Sequence, residues 1–103
     1  MPFYGYTGIP DPKDSSQKCE GILTRWLVQE RSILQSGDVV AEVDINGKPH
    51  KLTICFPAVI EKCLVREQEQ VSKNQNILKW LADGESIPYG QAYFRTKEIV
   101  AGQ

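Results

Sequence analysis

The chain has 103 residues, of which 41% are hydrophobic and 24% charged, with a net charge of −1. That is enough for one domain with one modest core. The near-neutral balance argues against nucleic acid as a partner, because binding phosphate needs a basic surplus. No apolar run approaches the roughly 18–20 residues of a membrane span, so no membrane is expected. The start, Met1-Pro2-Phe3-Tyr4-Gly5-Tyr6, has no basic stretch leading into an apolar one, and no secretory signal is expected.

Residues 1–18 form an N-terminal extension with a possible strand at Phe3–Ile9, followed by loop. Pro10, Pro12 and the polar run from Asp11 to Lys18 set that expectation. The body, residues 19–86, is more regular. Gly21–Val28 has the composition of a strand, with Ile22, Trp26 and Val28 on one face and Leu23 and Leu27 on the other. Val39–Ile45 alternates, sending Val39, Ala41, Val43 and Ile45 one way and Glu42 and Asp44 the other. His50–Phe56 does the same, with Leu52, Ile54 and Phe56 opposed to Lys51 and Thr53. Ala58–Val65 and Ile77–Ala82 complete the set. Short strands parted by Ser36-Gly37-Asp38, Asn46-Gly47 and Asn74-Gln75-Asn76 predict an all-β fold. In the tail, residues 87–103, the segment Tyr93–Val100 is compatible with a strand, a short helix or no regular structure. Its Tyr89, Tyr93 and Phe94 suit covering a sheet or docking on a partner.

The chain also resembles itself. A shift of 37 residues, the interval from Leu27 to Leu64, lays Leu27-Val28-Gln29-Glu30 on Leu64-Val65-Arg66-Glu67. The same shift lays Ile22 on Val59, Leu23 on Ile60, Val40 on Ile77 and Val43 on Trp80. Two copies are too few for a solenoid. A pair of β half-motifs related by a pseudo-two-fold axis fits them, with the seam around Asn46–Lys51.

Residues with chemistry are few. Cys19, Cys55 and Cys63 are odd in number and never at Cys-x-x-Cys spacing, so neither a disulfide scaffold nor a metal site is expected. They suit idle thiols in a reducing, cytoplasmic setting. His50 is the single histidine and has no activating motif nearby. It is expected on the inward-facing set beside Val43 or Ile45, as a structural imidazole. No catalytic residue is assigned, and the chain is not expected to be an enzyme. Trp26 and Trp80, placed in matching strands, are expected as core or sheet cover. Glu67–Glu69 with Lys62 and Arg66 is expected to be a solvated face.

The runs Gly21-Ile-Leu-Thr-Arg-Trp-Leu-Val-Gln-Glu30, Ser36-Gly-Asp-Val-Val-Ala-Glu-Val43 and Phe56-Pro-Ala-Val-Ile-Glu-Lys62 resemble a biotinyl/lipoyl-like domain. They are closest to lipoyl domains of 2-oxo acid dehydrogenase acyltransferase components. The resemblance covers about residues 20–86. Ala41-Glu42-Val43 and Leu81–Ile87 lean it toward lipoyl rather than biotinyl members. It implies a flattened barrel of two antiparallel sheets, a barrel-sandwich hybrid with internal pseudo-two-fold symmetry. It also implies a carrier: a hairpin joining the halves presents one lysine, which a ligase acylates with lipoate or, less expectedly, biotin. The arm then swings between subunits of an enzyme complex. The candidate acceptor is Lys48, flanked by Gly47 and Pro49. By the same resemblance, Asp14, Ser15, Ser16, Gln17 and Lys18 would flank Lys48 and take part in partner recognition.

The hairpin departs from the family pattern. Gly47-Lys48-Pro49 replaces the usual Asp-Lys-Ala or Met-Lys-Met, and the interval from Gly37 to Pro57 is longer than usual. Two registers stay open. With Gly47-Lys48 as a type II′ turn, Lys48 keeps the family position and Val43 pairs with Leu52. With Asn46-Gly47 as the turn, Gly47 takes that position and Lys48 faces Ile45. Alternation puts the same residues inward either way. Two functions therefore stand side by side: a carrier with lipoate or biotin on Lys48, or an unmodified member serving as a protein-interaction or assembly module with no cofactor.

Overall fold

The computed structural model of the protein describes residues 2–9, 21–72, 75–88, 90 and 92–100. Nine strands are drawn from them: β1 (Pro2–Gly8), β2 (Gly21–Trp26), β3 (Ile33–Leu34), β4 (Val39–Ile45) and β5 (Lys48–Ile54). Then come β6 (Ala58–Cys63), β7 (Glu69–Val71), β8 (Asn76–Asp83) and β9 (Phe94–Glu98), with one 3-10 turn at Gly84–Ser86. They form two antiparallel sheets, A in the order β1-β8-β6-β3 and B in the order β7-β2-β4-β5-β9. The sheets share one apolar core and do not close on each other among the described residues, so the flattened barrel is an open sandwich. No helix of the described residues is long and apolar enough to cross a membrane.

Pairing explains which side chains reach the core, and bulges explain where simple alternation fails. Leu23 pairs with Val43 but Arg25 with Glu42, so Thr24 is an extra residue in β2. An inserted residue exchanges the two faces beyond it. Trp26 and Val28 therefore join Leu23 against the core, while Ile22 and Leu27 are exposed. That corrects the expected grouping of Ile22 with Trp26 and Val28. The pairing of β4 with β5 skips Val40, so Val40 and Ala41 are both buried.

The pseudo-two-fold symmetry is written in the pairing itself. Moving the pairs Leu23↔Val43, Arg25↔Glu42, Gly21↔Val71 and Ile22↔Gln70 by 37 residues, forward or back, gives Ile60↔Trp80, Lys62↔Lys79, Ala58↔Leu34 and Val59↔Ile33, all observed. The outer strands obey an offset of 45, the interval from Gly5 to His50: Gly5↔Trp80 corresponds to His50↔Val43, and Thr7↔Leu78 to Leu52↔Ala41. β1 is thus the mate of β5, β8 of β4, β6 of β2 and β3 of β7. Trp26 (β2) and Trp80 (β8) are not mates, which corrects their expected equivalence.

The repeated Leu-Val-x-Glu segments are where each half crosses to the opposite sheet. The Arg31 N–H donates to Ile60 O and the Gln68 N–H to Leu23 O, both at 2.6 Å. Arg31 (φ 73°) and Gln68 (φ 67°) hold left-handed backbone to make that step. The two glutamates act reciprocally. Glu67 Oε2 accepts the Trp26 N–H at 2.8 Å, and Glu30 Oε2 accepts the Cys63 N–H at 3.0 Å. Glu67 is therefore a clamp between halves rather than only part of a solvated face. Glu67→Ala and Glu30→Ala are each expected to cost about 1 kcal/mol of unfolding free energy, as measured by denaturant titration.

Trp80 fills the middle of the core. Its indole packs edge-on against Phe56 at 4.8 Å and Tyr93 at 6.0 Å, and its Nε1 donates to Thr7 Oγ1 at 3.1 Å. This fits only because its neighbour on β1 is Gly5, where a Cβ would lie 2.1 Å from the ring. Gly5→Ala is expected to destabilise the fold by about 1–3 kcal/mol through overpacking. Denaturation of the purified variant checks this.

Candidate functional site

The β4–β5 hairpin joins the two halves and carries the candidate acceptor. Its turn is Asn46-Gly47, with φ of 52° and 85°, between the paired residues Ile45 and Lys48. Positive φ at both central positions is type I′, whose twist matches the flanking strands. The Asp44 carboxylate fastens the turn, with Oδ1 accepting the Gly47 N–H at 2.8 Å. The Gly47-Lys48 register is therefore not the one adopted. Val43 pairs with His50 rather than Leu52, and Ala41 with Leu52 rather than Ile54. Asn and Gly hold left-handed backbone at low cost, and Asp44 is in place to accept the freed donor.

This register moves Lys48 off the tip. Gly47 stands where the family resemblance would place the modified lysine. Lys48 is instead the first residue of β5 and lies directly across from Ile45. Cross-strand partners share a face, so Lys48 springs from the side of the sheet on which Ile45 is buried. Its own side chain is exposed. Pro49 pairs with Asp44, and its carbonyl accepts the Ile99 N–H at 2.9 Å. Proline at that place loses a donor where the ladder with β9 is ending.

His50 is half-buried beside Val43. Its Nδ1 lies 2.8 Å from Lys48 O. A carbonyl only accepts, so Nδ1 carries the proton, and the imidazole braces the backbone at Lys48. No carboxylate, thiol or hydroxyl is hydrogen-bonded to it among the described residues. Burial, and then the Glu30 carboxylate, push the Cys63 thiol up, the opposite of nucleophile activation. No group of three or more His, Cys, Asp or Glu side chains able to hold a metal occurs among the described residues. Asp14, Ser15, Ser16, Gln17, Lys18 and Cys19 lie outside the described residues, as does Tyr89.

A second feature emerges only from the registers. Tyr4, Leu81, Val59 and Ile33 are consecutive partners across sheet A and form one row over its outer face. Ile33 is 81% exposed. An open groove of about 490 Å³ runs beside this row, lined by Pro2, Ile33, Pro57, Val59, Leu81 and Asp83 among others. The mates of the row on sheet B are Pro49, Asp44, Ile22 and Gln70, a more polar set. The sequence reading missed the row because its members are scattered over four strands, one of which, β3, was unforeseen. The signal available was the repeat: Ile33, two residues before a turn, falls on Gln70 when shifted.

No family model, curated protein or solved structure matches the chain.

The turn geometry carries its own test. Gly47→Ala has open space for the new Cβ but must hold φ near 85°. It is expected to cost about 1–2 kcal/mol, whereas Asn46→Gly is expected to be near neutral. Thermal unfolding of both variants checks the pair.

Proposed function

We propose that this chain is an unmodified biotinyl/lipoyl-like module that works by binding protein, without catalysis and without a covalent cofactor. The observation that supports this is the hairpin register. Gly47 occupies the tip, and Lys48 is a ladder residue opposite Ile45. An acceptor amine has to stand clear of the fold on a rigid turn so that a ligase can surround it and the arm can reach. The turn here is fastened by Asp44, but the residues it displays are Asn46 and Gly47, neither of which carries an amine.

The carrier reading, with lipoate or biotin on Lys48, keeps one observation in its favour. Lys48 is exposed and adjoins the tip, so a ligase tolerant of a one-residue displacement would reach its amine.

The intact mass of the full chain, before and after incubation with lipoate ligase and separately with biotin ligase, decides between them. A genuine lipoyl domain and a genuine biotinyl domain modified in parallel show that each enzyme is active. No mass increment is expected. An increment of one acyl group that maps to Lys48 and disappears in Lys48→Arg would overturn the proposal and install the carrier.

A further inference from the structure

Among the described residues sheet B has one strand more than sheet A, and the internal symmetry says where a matching strand would belong. β9 runs antiparallel along the outer edge of β5, from His50↔Glu98 to Ile54↔Phe94. The mate of that edge is the outer edge of β1, along which no described strand runs. On β5 the odd-numbered residues turn toward the β9 side: Pro49 O accepts the Ile99 N–H, and the Cys55 N–H donates to Tyr93 O, each at 2.9 Å. The 45-residue offset carries this pattern to the even-numbered residues of β1. Tyr4, Tyr6 and Gly8 therefore turn their peptide groups outward, while Phe3, Gly5 and Thr7 hold β8.

This edge lacks the devices by which sheet edges avoid pairing, such as a charged residue, an interior proline or a bulged edge strand. Pro2–Gly8 contains no charge, its one proline is at the start, and the extra residue at its irregularity, Ile77, belongs to β8. Tyr4 and Tyr6 are 54% and 55% exposed, and the Lys79 ammonium lies over both rings at 4.8 and 5.7 Å.

The geometry points to a second copy of this chain as the occupant, with the two β1 strands antiparallel across a two-fold axis and the two copies of sheet A joined into one. Side-chain chemistry sets the register. Beside β5 the slot is sealed by Phe94, buried opposite Ile54. The mate of Ile54 is Ile9, half-buried against the core. Among the β1 residues that share the inner face, Phe3 alone has the size of Phe94, and it is 50% exposed. Setting Phe3 of one copy opposite Ile9 of the other brings Tyr6 opposite Tyr6 on the axis and Tyr4 opposite Gly8. Those last pairs are all outward-turned residues, so donors meet acceptors in the same register that matches Phe3 to Ile9. The contact is isologous and closes after two copies. An uncharged strand meets its own copy without like-charge repulsion, whereas a charged peptide would find no countercharge on β1. The Lys48 hairpin is on the other sheet, so this inference stands whether or not Lys48 is acylated.

Sedimentation of the full chain over a range of concentrations, with residue-resolved amide exchange, tests it. A concentration-dependent dimer is expected, in which the Tyr6 and Gly8 amides gain protection as concentration rises. The Phe3, Gly5 and Thr7 amides are expected to be protected throughout. Tyr6→Pro removes a donor from each copy at the axis and none from the β1–β8 ladder, and is expected to weaken the dimer at least about tenfold. Tyr6→Phe is expected to leave it intact. A monomer at every concentration would overturn the inference, as would a dimer indifferent to Tyr6→Pro. So would Tyr6 protection independent of concentration, which would mean that the chain covers this edge itself. If Tyr6→Pro fails to fold, the exchange pattern of the unaltered protein decides.

Discussion

Everything in this fold depends on the exchange between its two halves. Each half sends its chain from one sheet to the other and back, and the crossing points are tied to the opposite half. The Arg31 N–H reaches Ile60 O, the Gln68 N–H reaches Leu23 O, and Glu30 and Glu67 each accept a strand-end donor from the other half. These bonds are modest one by one. Their effect is to fix where β3 and β7 join the far sheet, and hence the relative placement of the two layers. A half on its own would leave those groups without protein partners and its apolar face without a second layer.

Within that shared frame the halves have diverged by trading volume. At one cross-strand position sheet A holds Trp80 with Gly5, and sheet B holds Val43 with His50. The larger side chain sits on β8 in one sheet and on β5, the mate of β1, in the other. Trp80 then anchors Phe56 and Tyr93, and Phe56 meets Phe94, which draws the C-terminal segment onto β5 as β9. Among the described residues one repeat unit has produced a five-stranded sheet and a four-stranded one. No described strand runs along the outer edge of β1, and the apolar row of Tyr4, Leu81, Val59 and Ile33 is on the outside of sheet A.

The hairpin shows the same logic at smaller scale. Asn46, Gly47 and Asp44 form a tight, self-contained turn, and His50 braces the backbone beneath it through Lys48 O. The result is a stiff projection whose two apical residues, Asn46 and Gly47, carry no amine. Lys48 belongs to the ladder, and its amine leaves from the face on which Ile45 is buried.

The residues by themselves determined the class and the symmetry. Alternation in Ala41–Ile45 and His50–Phe56 is local, since successive side chains in an unbulged strand oppose each other, whereas the bulge at Val40 puts Val40 rather than the expected Val39 inward. The 37-residue repeat is a property of the letters. The tail was ambiguous because β9 has little apolar signal of its own and is held by the edge of β5. β3 and β7 were invisible because two- and three-residue strands carry no period; they exist where the crossing bonds place them. The faces of β2 and the register of the hairpin were likewise decided only in three dimensions. A bulge at Thr24 exchanges the sides of everything after it. Two turns one residue apart put the same side chains inward, so only the assembled hairpin, with Asp44 accepting the Gly47 N–H, selected between them.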